Sequence, residues 1–305
     1  MKELNNKSVI CFGEILWDNL PTGKRPGGAP MNVAYHLHQL GINSRLISRI
    51  GNDQPGVELL DFLKEIGLET DLVQLDAEHA TSQVQATINE SNHEVSYEIV
   101  SPVAWDFISW QPNFEALLRE SKAFVFGTLS ARNSVTRDTL YQMLAYSSYR
   151  VFDANLRAPH YSPEVIDVLL RQANLVKLNS SELLLIAQWY DPACVKEADG
   201  VELLFERFNV EEILITKGSQ GVSYYTTAFR YDYPAYTINV ADTVGSGDSF
   251  LAAFLAMKLA DEPVETTLDY AVAMGAFITS QAGACPKYAR FDLDKFIWKK
   301  KLNIL

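Results

Sequence analysis

A chain of 305 residues, 48% of them hydrophobic, can bury a sizeable core and lies near the upper end of what one continuous domain supports. Its formal charge of -12 gives no basic footprint, which argues against nucleic acid as a partner while leaving room for a small anion where local dipoles favour one. Cys11, Cys194 and Cys285 are too few and too scattered for a disulfide framework or a metal cluster, and they read as buried or incidental thiols.

The amino-terminal segment MKELNNKSVICFGEILWD holds only a few consecutive apolar positions, which predicts neither a signal peptide nor a membrane span and suggests a cytoplasmic protein. A first strand is predicted at 9–12, with Asp18 shortly after it. A helix over 31–40 follows Pro30 and stops at Gly41, a strand spans 44–50, and a second helix over 56–65 stops at Gly67. Residues 81–100 alternate apolar and polar positions on both sides of a turn at 89–92, the pattern of a β-hairpin with one wet face. Further strands are predicted at 123–126, 150–152, 175–177 and 212–216. This alternation of strands and helices predicts an α/β layered fold with a mostly parallel sheet. The hairpin is too small to be an independent domain, and it reads either as a cleft cover or as an edge meander.

The segment Asp242-Thr-Val-Gly-Ser-Gly-Asp-Ser-Phe250 precedes an Ala- and Leu-rich run over 251–259 and reads as a loop entering a buried helix. Gly245, Ser246 and Gly247 leave backbone N–H groups open at that helix's amino end, where unpaired donors and the dipole favour an anion. Asp248 in the first turn is placed to accept a proton from an attacking hydroxyl, although for a lone GxGD a helix-capping role is the better explanation. Three other readings fail. Phe250 stands where a dinucleotide fingerprint needs its third glycine, Gly23-Lys24 is followed by Arg25 rather than Ser or Thr, and His93-Glu94 is followed by Tyr97 rather than a second His.

Nearer the amino terminus, Gly27 and Gly28 let a ligand approach their backbone, or simply form a turn before the Pro30 helix. Asn32 offers two donors and an acceptor from the first helical turn, and Asp18 offers acceptors for two neighbouring hydroxyls. Asn179 and Glu182 stand as a capping pair ahead of the run at 183–186.

Residues 242–250 resemble the second signature of the ribokinase-like (PfkB) carbohydrate kinases, and Gly27-Gly-Ala-Pro-Met-Asn-Val-Ala34 resembles their first. Other landmarks match in order along nearly the whole chain: Phe12-Gly13-Glu14 with Asp18, Asp153-Ala-Asn-Leu-Arg157, Asn179-Ser-Ser-Glu182, Thr216-Lys-Gly218 with Gly221, and Gly275-Ala276 with Gly283-Ala284. The resemblance implies one ribokinase-like kinase domain over 1–305. It would be a three-layer α/β/α core with a mostly parallel central sheet and a small β lid drawn from about 16–23 and 81–100.

The resemblance also implies that Asp18, Gly27, Gly28, Asn32 and Arg157 bind the sugar, that residues 245–247 form an anion hole, and that Asp248 is the general base. Thr216, Gly218 and Gly221 would belong to the nucleotide loop, with Lys217 left unassigned. Asn179 and Glu182 would help to position Mg2+ and phosphates through water, and Asp242 is a candidate for a monovalent cation such as K+, although capping its own turn explains it almost as well. The implied ligands are ATP, Mg2+ and a small sugar, with no membrane partner and with a homodimer through the lid as the implied assembly.

The 12–18 run, the GGAP stretch and residues 153–157 look most like the fructokinase branch, which makes fructose the first choice of substrate. Arg157 and Tyr97 keep 2-keto-3-deoxygluconate open, since a guanidinium pairs well with a carboxylate, and ribose also remains a choice. Trp17 and Trp105 are either pocket walls or packing. Two other classes remain: a sugar- or nucleotide-binding regulator without turnover, and a hydride-transfer enzyme, the latter disfavoured by the missing fingerprint.

Overall fold

Two sheets organise the chain, in a computed structural model that describes residues 8–20, 23–88 and 95–302, with only the backbone for 20, 85–88 and 95–98. The larger sheet has nine strands in the order β13-β12-β11-β10-β9-β8-β1-β4-β5. These are β1 (Val9–Phe12), β4 (Ser44–Gly51), β5 (Val73–Asp76), β8 (Ala123–Gly127), β9 (Arg150–Asp153), β10 (Leu175–Asn179), β11 (Glu212–Thr216), β12 (Val222–Thr226) and β13 (Arg230–Tyr233). Every neighbouring pair from β5 to β11 is parallel, and only β12 and β13 run antiparallel at the edge.

Each central strand reads as a near-continuous apolar run because both of its faces are covered. Val9 and Cys11 enter one core with α1 (Ala29–Gln39), α2 (Gln54–Glu65), α8 (Ser246–Lys258), α9 (Val264–Thr279) and α10 (Arg290–Lys301), through residues such as Leu37, Leu59, Leu251, Leu268 and Leu293. Ile10 and Phe12 point the opposite way, into a second core with α3 (Phe114–Glu120), α4 (Ser134–Leu144), α5 (Pro163–Gln172), α6 (Ser180–Gln188) and α7 (Glu197–Arg207). The period of two along β1 therefore sorts its side chains between two helical layers, giving the α/β/α arrangement.

The smaller sheet pairs β2 (Leu16–Leu20), β3 (Gly23–Gly27), β6 (Gln83–Ile88) and β7 (Val95–Ile99) in the order β3-β2-β6-β7. β6 and β7 form the expected antiparallel hairpin; the predicted turn at 89–92 lies outside the described residues. The first lid segment extends beyond the expected 16–23, because β3 pairs with β2 as far as Gly27 against Leu16. Asp18 consequently sits inside a strand rather than on a loop after one. α2 starts before the predicted position 56, since Asp53 caps it by accepting from Gly56 N–H at 2.9 Å and Pro55 fits its first turn.

Candidate active site

The carboxyl ends of the parallel strands face the small sheet, and two helix amino ends meet between them. α1 begins at Gly28, which must stay bare because a Cβ there would overlap the Glu14 carbonyl oxygen. The Asn32 N–H closes the first turn on the Gly28 carbonyl at 2.8 Å, which fixes where the Asn32 side chain leaves the helix. α8 begins at Gly245, left-handed at φ 76, with Ala284 where a Cβ would go and with no side chain capping the helix. The first-turn N–H groups after it lack intrahelical acceptors and form an anion-favouring end.

The two helices are joined by one bond, from Asn32 Nδ2 to Asp248 Oδ2 at 2.7 Å. The Cys285 thiol donates to the other end of the same amide, Asn32 Oδ1, at 3.2 Å. Cys285, read from sequence as a buried or incidental thiol, thus contacts the amide that bridges the two helices. Burial and nearby Asp153 push the Asp248 carboxyl up, Lys177, Asn32 and Arg157 pull it down, and the balance is about 6. Asp18 is likewise raised to about 6, by burial first and then by Asp242 and Asp248 against the opposing pull of Arg157. Asp18 packs against Gly27, where a Cβ would overlap its carboxylate.

Glu14, quoted above only as a landmark, lies under this cluster. Its Oε1 accepts from Ala29 N–H at 3.2 Å while Oε2 is buried without a partner, and burial lifts its carboxyl to about 7. Arg157 is exposed on the loop after β9 and bears on both Asp18 and Asp248 through its charge.

Asn179 and Glu182 form a reciprocal capping box at α6, with Glu182 N–H donating to Asn179 Oδ1 at 2.9 Å and Asn179 N–H to Glu182 Oε2 at 2.8 Å. Glu182 Oε1 also accepts from Leu156 N–H at 2.8 Å, so both oxygens tie strand ends together. Asp242 accepts from Val244 N–H and Gly283 N–H, each at 3.0 Å, and so joins the loop before α8 to the one after α9. Thr216 pairs with Asn179 in register, which sets the turn carrying Gly218 and Gly221 beside the capping box. Lys217 donates to Ser223 Oγ at 2.5 Å and lies 3.5 Å from Asp232 Oδ1. Trp17 and Trp105 serve packing: Trp17 donates to the Pro55 carbonyl at 2.9 Å, and Trp105 is fully buried under the Arg132 guanidinium.

One pair escaped the sequence reading. The Lys177 ammonium lies 2.8 Å from both oxygens of Asp153, and the two residues are 7% and 3% exposed. The available signal was a lysine ending the apolar strand window 175–177 beside an aspartate just after 150–152, both at the carboxyl edge.

Residues 3–289 match the pattern of the pfkB family carbohydrate kinases. Fructokinase-2 of Oryza sativa subsp. japonica is 27% identical over 307 residues, covering 91% of this chain and 90% of that one. Among solved structures, fructokinase with bound ATP from Xylella fastidiosa superimposes with a TM-score of 0.85 at 21% identity, covering 96% of this chain and 99% of that one. A double mutant of fructokinase from Vibrio cholerae O395, bound to fructose, ADP and potassium ion, gives 0.82 at 21% identity, covering 95% and 98%.

Proposed function

The chain belongs to the pfkB family of carbohydrate kinases, and from that premise we propose that it transfers the γ-phosphate of ATP to the terminal hydroxyl of fructose, yielding fructose 6-phosphate. The observation that carries this reading is the 2.7 Å bond between Asn32 and Asp248, which brings a hydroxyl-binding amide and a carboxylate together at the uncapped end of α8. In this reading Asp18, Gly27, Gly28 and Asn32 hold the sugar, with the hydroxyl to be phosphorylated taking the place of Asn32 against Asp248. Asp248 accepts the hydroxyl proton, and the N–H groups of Gly245, Ser246 and Gly247 receive the phosphoryl oxygens. Most of the acceleration then comes from positioning and charge stabilisation.

The turn at Thr216, Gly218 and Gly221 takes the nucleotide. Among the described residues no group of three or more His, Cys, Asp or Glu side chains could hold a metal ion by itself. In this reading Mg2+ would accompany the ATP phosphates, reached through water from Asn179 and Glu182, and when bound it would neutralise phosphate charge. Asp242 would border a K+ site together with nearby carbonyls. The four-stranded sheet acts as the lid that keeps water from the phosphoryl group, and little ATP hydrolysis is expected without sugar. Its edge strands β3 and β7 would carry the lid-to-lid dimer.

Arg157 favours one second reading, a sugar acid such as 2-keto-3-deoxygluconate, whose carboxylate would meet the guanidinium. The test is ADP release with ATP, Mg2+ and K+ against fructose, ribose and 2-keto-3-deoxygluconate. The proposal expects the highest kcat/KM on fructose. A higher value on the sugar acid replaces it with the second reading, and silence on all three sugars with ATP bound points to a regulator. Asp248→Asn should retain sugar binding and lose about 10²- to 10⁴-fold in kcat, the usual worth of a general base; near-normal turnover would remove Asp248 from that role.

A further inference from the structure

We propose that Lys177 is a further catalytic residue, whose ammonium, held by Asp153 beneath the turn at 245–247, donates to the transferring phosphoryl group and neutralises part of its charge. This rests on the phosphotransfer reading above and adds to it a cation supplied by the protein.

The argument begins with geometry. Lys177 and Asp153 face each other in register at the carboxyl ends of β10 and β9. Both Asp153 oxygens accept from the Lys177 ammonium at 2.8 Å. An ammonium has three protons, and this pairing occupies two directions. The remaining side looks at α8: a Cβ built on Gly247 would lie 3.1 Å from Lys177 Nζ and 3.5 Å from its Cε. Glycine at 247 therefore keeps open the space between a positive charge and the N–H groups that await an anion.

A purely structural role explains this placement poorly. Ion pairs this deeply buried pay desolvation, and apolar residues of similar volume usually do as well for stability. On the same face of β10, Leu175 is fully buried and apolar beside Val151 of β9, so that layer could have been continued without charge. What the pair provides is a cation fixed in a low-dielectric site, where its attraction for phosphate oxygens exceeds that of an exposed lysine.

The surrounding groups come from several elements. Asp153 on β9, Glu182 on α6 and Asp248 on α8 all favour the charged ammonium and offset its burial. Asp248 in turn is faced by Asp153, Lys177, Asn32 on α1 and Arg157, and it bears on Glu14, while Cys285 feels both Asp248 and Asp18. Lys177 therefore stays protonated through the reaction. The sugar O–H bond breaks and its proton goes to Asp248. The sugar oxygen bonds to phosphorus as the bond to ADP breaks, and ADP leaves with that electron pair. Asp153 is a positioning residue that aims the ammonium and does not touch the reacting atoms.

The test compares Lys177→Met, Lys177→Arg and Asp153→Asn with the unaltered enzyme in the ADP-release assay, alongside direct sugar binding and thermal unfolding. Lys177→Met should lose about 10²- to 10³-fold in kcat, as removal of one transition-state donor does, with sugar affinity within about threefold, because the lost contact is made mainly in transfer. Lys177→Arg should recover part of that loss. Losing the positive neighbour should move the acid limb of kcat/KM to higher pH in Lys177→Met, and losing the negative one should move it lower in Asp153→Asn. Unchanged kcat in folded Lys177→Met, or pH limbs that do not move in either folded variant, would overturn the proposal even if melting temperatures fall. If Lys177→Met fails to fold, the kcat of Lys177→Arg and the limb of Asp153→Asn decide it. An unaltered enzyme that transfers phosphate to no sugar overturns the kinase reading itself, before any variant is compared.

Discussion

Asn32 is held from both sides, and the chemistry of its partners dictates which way its amide faces. An ionised Asp248 only accepts, so the amide nitrogen must face it, which leaves Oδ1 to the Cys285 thiol. Burial, with Asp248 and Asp18 nearby, raises that thiol well above its ordinary value, so it stays protonated and remains a donor. Cys285→Ala should then leave Asn32 Oδ1 without its donor, loosen the amide, and raise the sugar KM by roughly fivefold, the equivalent of about 1 kcal/mol for a net hydrogen bond. Cys285→Ser should stay near the unaltered value. Steady-state kinetics on the two variants checks this, and an unchanged KM in the alanine variant would reduce the thiol to packing. Nothing in the sequence could reveal the contact, because Cys285 and Asn32 are brought together only by the loop after α9 folding back over α1.

At the scale of elements, the anion site proposed for α8 depends on how that helix starts. Gly245 combines a left-handed backbone with Ala284 lying 2.6 Å from where its Cβ would stand, and leaves the helix without a cap. Gly245→Ala should cost about 1–3 kcal/mol, the range for a strained backbone position, and should weaken ATP as well. Thermal unfolding and ATP binding would measure both; a variant as stable as its parent would show that the turn can relax. Six of the nine strands of the large sheet, β1, β4 and β8 to β11, were legible because they are largely buried on both faces and read as apolar runs. β11 was expected at 212–216 and spans Glu212–Thr216.

Among the strands that escaped, β5 and β13 are only partly buried, whereas β12 was missed although four of its five residues are buried. β3 is the polar run Gly23–Gly27, exposed at its start, and it is a strand only because β2 lies beside it. The NxxE pair was legible twice over, as a landmark of the resemblance and as a capping box, and the second reading is the contact the fold displays. Asp242 follows the same pattern, since its turn-capping bonds are visible from its own position in sequence whereas its link to Gly283 needed the fold. In the site, short motifs could be picked out directly, Phe12-Gly13-Glu14 among them, while the contacts of Lys177, Glu14 and Cys285 form between distant segments.

For the whole molecule, the cost of the site should appear as a dependence of stability on pH. Glu14 is raised to about 7, and Asp18 and Asp248 to about 6, so the folded state binds these protons more tightly than the unfolded chain. Their protonation adds stability as pH falls through 7 and 6, and that contribution is lost again as pH rises. His36 opposes them at lower pH. It is buried, lowered to about 3, and bonded to the Ala284 carbonyl and the Tyr288 hydroxyl, so it loses stability only as the unfolded histidine gains its proton below about 6.5. The free protein should therefore melt at a higher temperature at pH 6 than at pH 8. Relief of self-repulsion among a net charge of -12 acts in the same direction, so that rise alone does not identify the carboxylates. The variant Glu14→Gln/Asp248→Asn separates the two causes, because it removes two buried acids and leaves most of the surface charge in place. It should be more stable than the parent at pH 8, where the parent must bury both charges, and the difference should shrink towards pH 5.5 as the parent takes up its protons. A constant gap across that range would mean that the substitutions repack the site without relieving buried charge. A gap that closes would show that the same carboxylates that equip the cleft for transfer hold down the stability of the empty enzyme.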